Sequence, residues 1–275
     1  MSRWLLSVLA VVATWANAGP VQTGFLDRSL TIEGVEYRYQ VFIPREFDPL
    51  KKWPVILALH GGGEYGSDGL RQTAYALPNA IRVHPSRFPA IVVLPQAKAD
   101  DKPGWQGQGG RAALAQVDAA IKEFSGDPTR VYLTGHSAGG NGAWYLASHY
   151  PDRFAALVPV CGFVSEFKGH ASEVSYPAVT FPPEPDPFTS VAKRVAHIPT
   201  WIFHGTRDDV VPIEESRGMA AALKKLDADV IYTELEGANH NAWDPAYDRA
   251  DLFDWMFMQQ RANDQRNHRD PSNNR

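Results

Sequence analysis

The stretch that most constrains this chain runs from Val131 to His149. An apolar run, Val131 to Leu133, leads into Gly135-His136-Ser137-Ala138-Gly139, and a helix-spaced segment, Gly140 to His149, follows at once. A buried strand, a glycine-crowded turn and a helix in immediate succession make the chain reverse over a serine. The residue at such a tip takes a sparsely populated backbone conformation, and flanking glycines let neighbouring backbone approach where a side chain would collide. Taken alone, the five residues also fit an ordinary loop. Their place between strand and helix singles out Ser137, and a reactive serine needs a base, an orienting acid and donors for an anion elsewhere in the chain.

The remaining elements predict the sheet in which this unit would sit. Phe25 to Ile32 and Val35 to Ile43 alternate apolar and polar residues around Glu33-Gly34, the pattern of a half-buried antiparallel hairpin. Pro54 to Leu59 is continuously apolar, as a strand covered on both faces is, and ends in His60-Gly61-Gly62-Gly63. Short strands are expected at Ala90 to Leu94, Arg130 to Leu133, Ala155 to Val160, Pro199 to Phe203 and Val230 to Leu235. Helical spacing lies between them, at Arg111 to Phe124, Gly140 to His149, Ile213 to Leu226 and Tyr247 to Met258. The alternation predicts an α/β domain over 19–260: a mostly parallel, doubly wound sheet with an antiparallel hairpin at its N-terminal end.

Three regions stand apart. Met1-Ser2-Arg3, the apolar Trp4 to Val12 and Ala16-Asn17-Ala18 have the layout of a secretory signal peptide over 1–18, which implies a secreted or periplasmic protein. The apolar core is shorter than the ~20 residues a membrane-spanning helix needs. The segment 163–198 is rich in proline and aromatic residues and reads as a cap-like excursion over the strand ends, with no regular element expected in it. The stretch 261–275 is polar, without apolar periodicity, and reads as a disordered tail. With a single cysteine, Cys161, the chain can form no internal disulfide, and a net charge of −4 points to neither nucleic acid nor an anionic membrane as partner.

In an open α/β sheet the reactive groups lie just past the carboxyl ends of the strands. Four such ends stand out: His60 with its glycines, Ser137, His204-Gly205-Thr206-Arg207-Asp208-Asp209, and Gly237-Ala238-Asn239-His240. No two histidines have metal-ligand spacing, so neither a metal nor another cofactor is expected.

Together these four motifs, in this order, resemble the serine esterases of the α/β-hydrolase superfamily. More narrowly, they resemble secreted polyhydroxybutyrate depolymerases, feruloyl esterases and phospholipase/carboxylesterase-like proteins, over about Phe25 to Met258. The resemblance implies the α/β-hydrolase fold, with Ser137 as nucleophile, His240 as general base and Asp208 as the acid that orients it. Asp209 could also reach; Asp208 is preferred because the family places its acid four residues after the motif's histidine. The same resemblance puts the oxyanion donors at the Ala138 N–H and in the glycine loop, at Gly62 or next Gly63. Trp105 is expected as an aromatic wall for substrate, or else as a buried loop anchor. His136 is expected to pack at the elbow or line the pocket, and His60 and His204 to support the site by hydrogen bonding. Cys161 lacks the elbow and reads as a small buried hydrophobe. The implied activity is hydrolysis of a small or polymeric carboxylic ester, a polyester oligomer or an aryl or acetyl ester, through an acyl-enzyme. The alternatives are a serine peptidase of the oligopeptidase-like branch and a non-catalytic binding module.

Overall fold

A computed structural model describes residues 22–98, 100, 104–168, 175–179 and 186–261. The expected signal peptide, residues 262–275 of the expected tail, and 169–174 and 180–185 of the excursion lie outside the described residues.

Strand β1 (Gly24–Ile32) turns back into β2 (Val35–Ile43) at Glu33 and Gly34, whose φ angles are 51° and 81°. Two positive φ values in a two-residue loop twist the chain to match its strands, so Ile32 faces Val35 in antiparallel register. The apolar run after this hairpin forms β3 (Trp53–Leu59), and β4 (Ile91–Pro95), β5 (Gly126–His136), β6 (Ala156–Val160), β9 (Thr200–Gly205) and β10 (Val230–Leu235) complete an eight-stranded sheet. Its order is β1-β2-β4-β3-β5-β6-β9-β10. Only β1/β2 and β2/β4 pair antiparallel; every other neighbouring pair is parallel. This is the α/β-hydrolase arrangement that the sequence leads one to expect.

Helices cover both faces, and alternate strand residues serve each. One face packs Leu57, Val93 and Leu133 against α2 (Gln108–Glu123), α3 (Ala138–His149), α4 (Pro187–Val195) and α5 (Glu214–Lys225). The other packs Ile56, Val92 and Tyr132 against α1 (Leu77–Val83), α6 (Trp243–Tyr247) and α7 (Ala250–Met258). Each fully buried aliphatic side chain contributes about 1.5–3 kcal/mol. This explains why β3, buried on both faces, has no alternating pattern. Among the described residues no helix is long and apolar enough to cross a membrane.

The proline-rich excursion departs from expectation. A short ladder, β7 (Phe167–Lys168) with β8 (Ser175–Tyr176), and α4 lie within it. Proline ends helices only from the second turn onward; at the first helical position its missing N–H costs nothing. Pro187 occupies that position, and Asp186 caps the helix by accepting from the Phe188 N–H at 3.0 Å.

Candidate active site

Ser137 follows β5 and precedes α3 with φ 53° and ψ −119°, a conformation that costs a non-glycine residue on the order of 1–3 kcal/mol. Its neighbours show why glycine brackets it. A Cβ on Gly135 would lie 2.3 Å from the Gly139 carbonyl oxygen, and one on Gly139 would lie 2.2 Å from that of Leu59. The helix start is thus pressed against the end of β3, and the Ser137 N–H is tied to the Val160 carbonyl at 3.0 Å. Strand, turn and helix leave the serine one orientation, with its hydroxyl beyond the sheet's carboxyl edge.

There it meets His240, which follows β10. Ser137 Oγ lies 2.9 Å from His240 Nε2, and His240 Nδ1 lies 2.9 and 3.0 Å from the two carboxylate oxygens of Asp208. With Nδ1–H donating to the carboxylate, Nε2 is left to accept the serine proton. The Asp208 side chain is shut from solvent. Its Oδ1 accepts from the Val210 and Val211 N–H groups, both at 2.9 Å, and His204 Nε2 stands 3.2 Å from Oδ2. Burial by itself would raise this carboxyl, but hydrogen bonds from His204, His240 and the Val210 N–H together hold it well below the usual carboxylate range. His204 is itself fixed, with Ser216 Oγ 2.7 Å from Nδ1. Asp209, exposed on the same loop, has no place in this chain of contacts.

On the opposite side of Ser137 stands the glycine loop. Gly61 is held at both ends of its peptide unit: its N–H donates to His136 Nε2 at 3.2 Å, and its carbonyl accepts from His60 Nδ1 at 2.7 Å. His60 Nε2 accepts from the Ala97 N–H at 3.0 Å, so this buried ring is neutral, and burial pushes its pKa down to about 4. Gly62 and Gly63 project beyond this anchor and are exposed. Ala138 is the first residue of α3, where an N–H has no carbonyl partner within the helix and the helix dipole is positive.

This geometry is accompanied by relationship. Residues 105–264, more than half of the chain, match the prolyl oligopeptidase family. The chain belongs to that family. An uncharacterized secreted protein of Arthroderma benhamiae is 31% identical over 212 residues, 70% of this chain and 22% of the relative. Feruloyl esterase B of Thermothelomyces thermophilus is 30% identical over 153 residues, 54% of this chain and 50% of that enzyme. The chain therefore spans half or less of these relatives. Among solved structures, a thermostable esterase superposes with a TM-score of 0.69 at 28% identity, covering 86% of this chain and 63% of the other.

In this member of the prolyl oligopeptidase family the aromatic expectation needs correcting. Trp105 is 1% exposed, its Nε1–H donates to the His60 carbonyl at 3.0 Å, and its ring packs on His60 at 4.7 Å. It anchors the loop from beneath and presents no face to a substrate. The aromatic ring at the site is Trp243, only partly buried, edge-on to His240 at 5.4 Å and tilted against His136 at 4.6 Å. The clue in the sequence was its spacing, three residues after His240 and opening α6. His136 ties the glycine loop to the elbow and also lines a small cavity with Gln72, Tyr75 and Leu77. Glu64 had no sequence signal: its Oε2 is 3.5 Å from His136 Nε2 and has no hydrogen-bond partner among the described residues. The excursion is pinned beside the site, where Asn141 Nδ2 donates to the Phe163 carbonyl at 3.0 Å and Gln106 Nε2 to the Pro177 carbonyl at 2.8 Å.

Proposed function

We propose that this protein is a serine esterase that cleaves carboxylic esters through an acyl-enzyme. The observation that carries this reading is the unbroken line from Ser137 Oγ through His240 to buried Asp208, with both links at 2.9 Å. Ser137 Oγ attacks the ester carbonyl carbon while its proton passes to His240 Nε2. Asp208 stabilises the resulting imidazolium. The carbonyl oxygen becomes an oxyanion, received by the Ala138 N–H and by an N–H of Gly62 or Gly63, each such donor lowering the barrier by about 2.7–4 kcal/mol. The tetrahedral adduct collapses, the alkoxide leaves with the proton from Nε2, and water then repeats the sequence on the acyl-enzyme.

The signal-like residues 1–18 support export, and with it an external substrate: a polyester oligomer, or an aryl or acetyl ester. Similarity to a feruloyl esterase supports an aryl ester, and similarity to a poly(3-hydroxyalkanoate) depolymerase supports a polyester equally. Ser137→Ala is expected to abolish turnover of short p-nitrophenyl esters while circular dichroism stays unchanged; full activity in that variant would overturn the reading.

Family membership favours a second reading, cleavage of peptides by the same three residues. An ester and an amide of one acyl group separate the two, since an esterase turns over the ester at a far higher kcat/KM and a peptidase holds the amide within reach of it.

A further inference from the structure

Cys161 takes no part in the reaction just described, yet it lies against the groups that do. It follows β6 with φ 40° and is wholly buried, and its Sγ lies 3.6 Å from the His240 carbonyl oxygen. Its Sγ, a carboxylate oxygen of Asp208 and a ring nitrogen of His240 all fall within 4.8 Å of one another. We propose that Cys161, Asp208 and His240 form a latent site for a thiophilic divalent cation, zinc or cadmium, whose binding switches the enzyme off.

Thiolate, imidazole and carboxylate are the donor set that borderline-soft d10 cations select, whereas magnesium and calcium prefer oxygen alone. Bond lengths of about 2.0–2.3 Å put tetrahedral ligand atoms roughly 3.3–3.8 Å apart, so the three donors close on an ion with shifts of about 1 Å. Thiolate and carboxylate together carry two negative charges, which neutralise the ion. Nδ1 is the His240 nitrogen already 2.9 Å from Asp208, so it is the one a shared ion meets, and His240, partly exposed, leaves a fourth position open toward solvent.

Inhibition follows from the tautomer. The ion takes the Nδ1 lone pair, and the neutral ring carries its proton on Nε2 instead. Nε2 then donates toward Ser137 Oγ and cannot accept its proton. The thiol proton goes to solvent, so one proton is released per ion bound.

The loss of activity rests on Ser137 and His240 being the reacting pair; the binding does not. Cadmium is therefore titrated into the full chain carrying Ser137→Ala, reading the thiolate-to-cadmium charge-transfer absorption. The expected result is saturation at one equivalent, with the band absent when Cys161→Ser or Cys161→Ala is added. In the active chain, zinc is expected to inhibit ester turnover reversibly with EDTA, magnesium not at all, and Cys161→Ser to raise the inhibitory zinc concentration at least tenfold. A Ser137→Ala chain without the band, or a Cys161→Ser chain as zinc-sensitive as its parent, overturns the proposal. If the band forms but no ester is turned over, the metal site stands and the esterase reading falls.

Discussion

The two sides of Ser137 are built on different plans. On the proton-handling side, Asp208 receives two backbone N–H groups and stands within reach of two imidazoles, and one of these, His204, is locked in turn by Ser216. Each member is fixed by a further partner, so the carboxylate has one geometry and one charge state. On the oxyanion side the expected donors are bare backbone on an exposed loop, and the fixing is indirect: His60 and His136 grip Gly61, and Gly62 and Gly63 extend from it. A proton relay needs a permanently ionised, immobile acid, whereas an anion that exists only in the transition state needs donors with room for substrate to enter. The first plan relies on buried side chains and the second on side chains that hold a loop without touching the substrate.

Breaking the first plan is expected to do the most damage. Asp208→Asn keeps the shape but favours the wrong imidazole tautomer, with kcat for a p-nitrophenyl ester falling on the order of 10⁴-fold. Loosening the second plan does less. His136→Ala releases the Gly61 N–H and is expected to lower kcat by up to about 10²-fold with KM little changed, the scale of one lost oxyanion donor. His136→Gln, whose side-chain oxygen can accept the same N–H, recovers most of that loss; recovery no better than that of alanine would mean that the Gly61 bond does not matter.

The loop's buried support also titrates. His60 binds a proton in the unfolded chain near pH 6.5 but in the fold only near 4, so the unfolded state holds more protons between these values and stability falls as the pH drops through that window. The loss is about 3 kcal/mol, read from denaturant midpoints at pH 7 and pH 4, and His60→Gln should flatten it. Asp208 adds little there: its stabilising contribution is lost mainly below that window, as the unfolded chain's carboxyl takes up a proton while the depressed folded one stays ionised. Smaller again, Trp243→Ala is expected to raise KM about 2- to 10-fold through loss of one aromatic contact. Asp209→Asn, exposed and outside the chain of contacts, should leave kcat within about twofold.

What could be read from the residues divides along the same line. The ends of β3, β5, β9 and β10 were legible because short strand-like runs give way to His60, the Gly135 to Gly139 turn, His204 and the Gly237 to His240 turn, and the sheet alone then brings these four together. Trp105 was not, because burial of a loop aromatic is decided by what packs on it. A Cβ on Gly142, inside α3, would lie 2.5 Å from the Trp105 Cβ, so a glycine in a distant helix makes the space that Trp105 fills. Helix α4 was hidden by its own prolines, whose meaning depends on whether they fall at a helix start or in its interior. Cys161 looked unlike an elbow residue in sequence, yet its φ of 40° is an elbow-like strain that only the meeting of β6 with the neighbouring strand ends reveals.

The whole proton path depends on activation of Ser137 by His240. That activation is tested most directly by reacting the folded chain with a fluorophosphonate and locating the adduct by mass spectrometry, with the rate compared between wild type and His240→Ala. One adduct per chain is expected, on Ser137, formed at least about 10³-fold more slowly without the imidazole. An adduct on another residue, or a rate indifferent to His240, would contradict it.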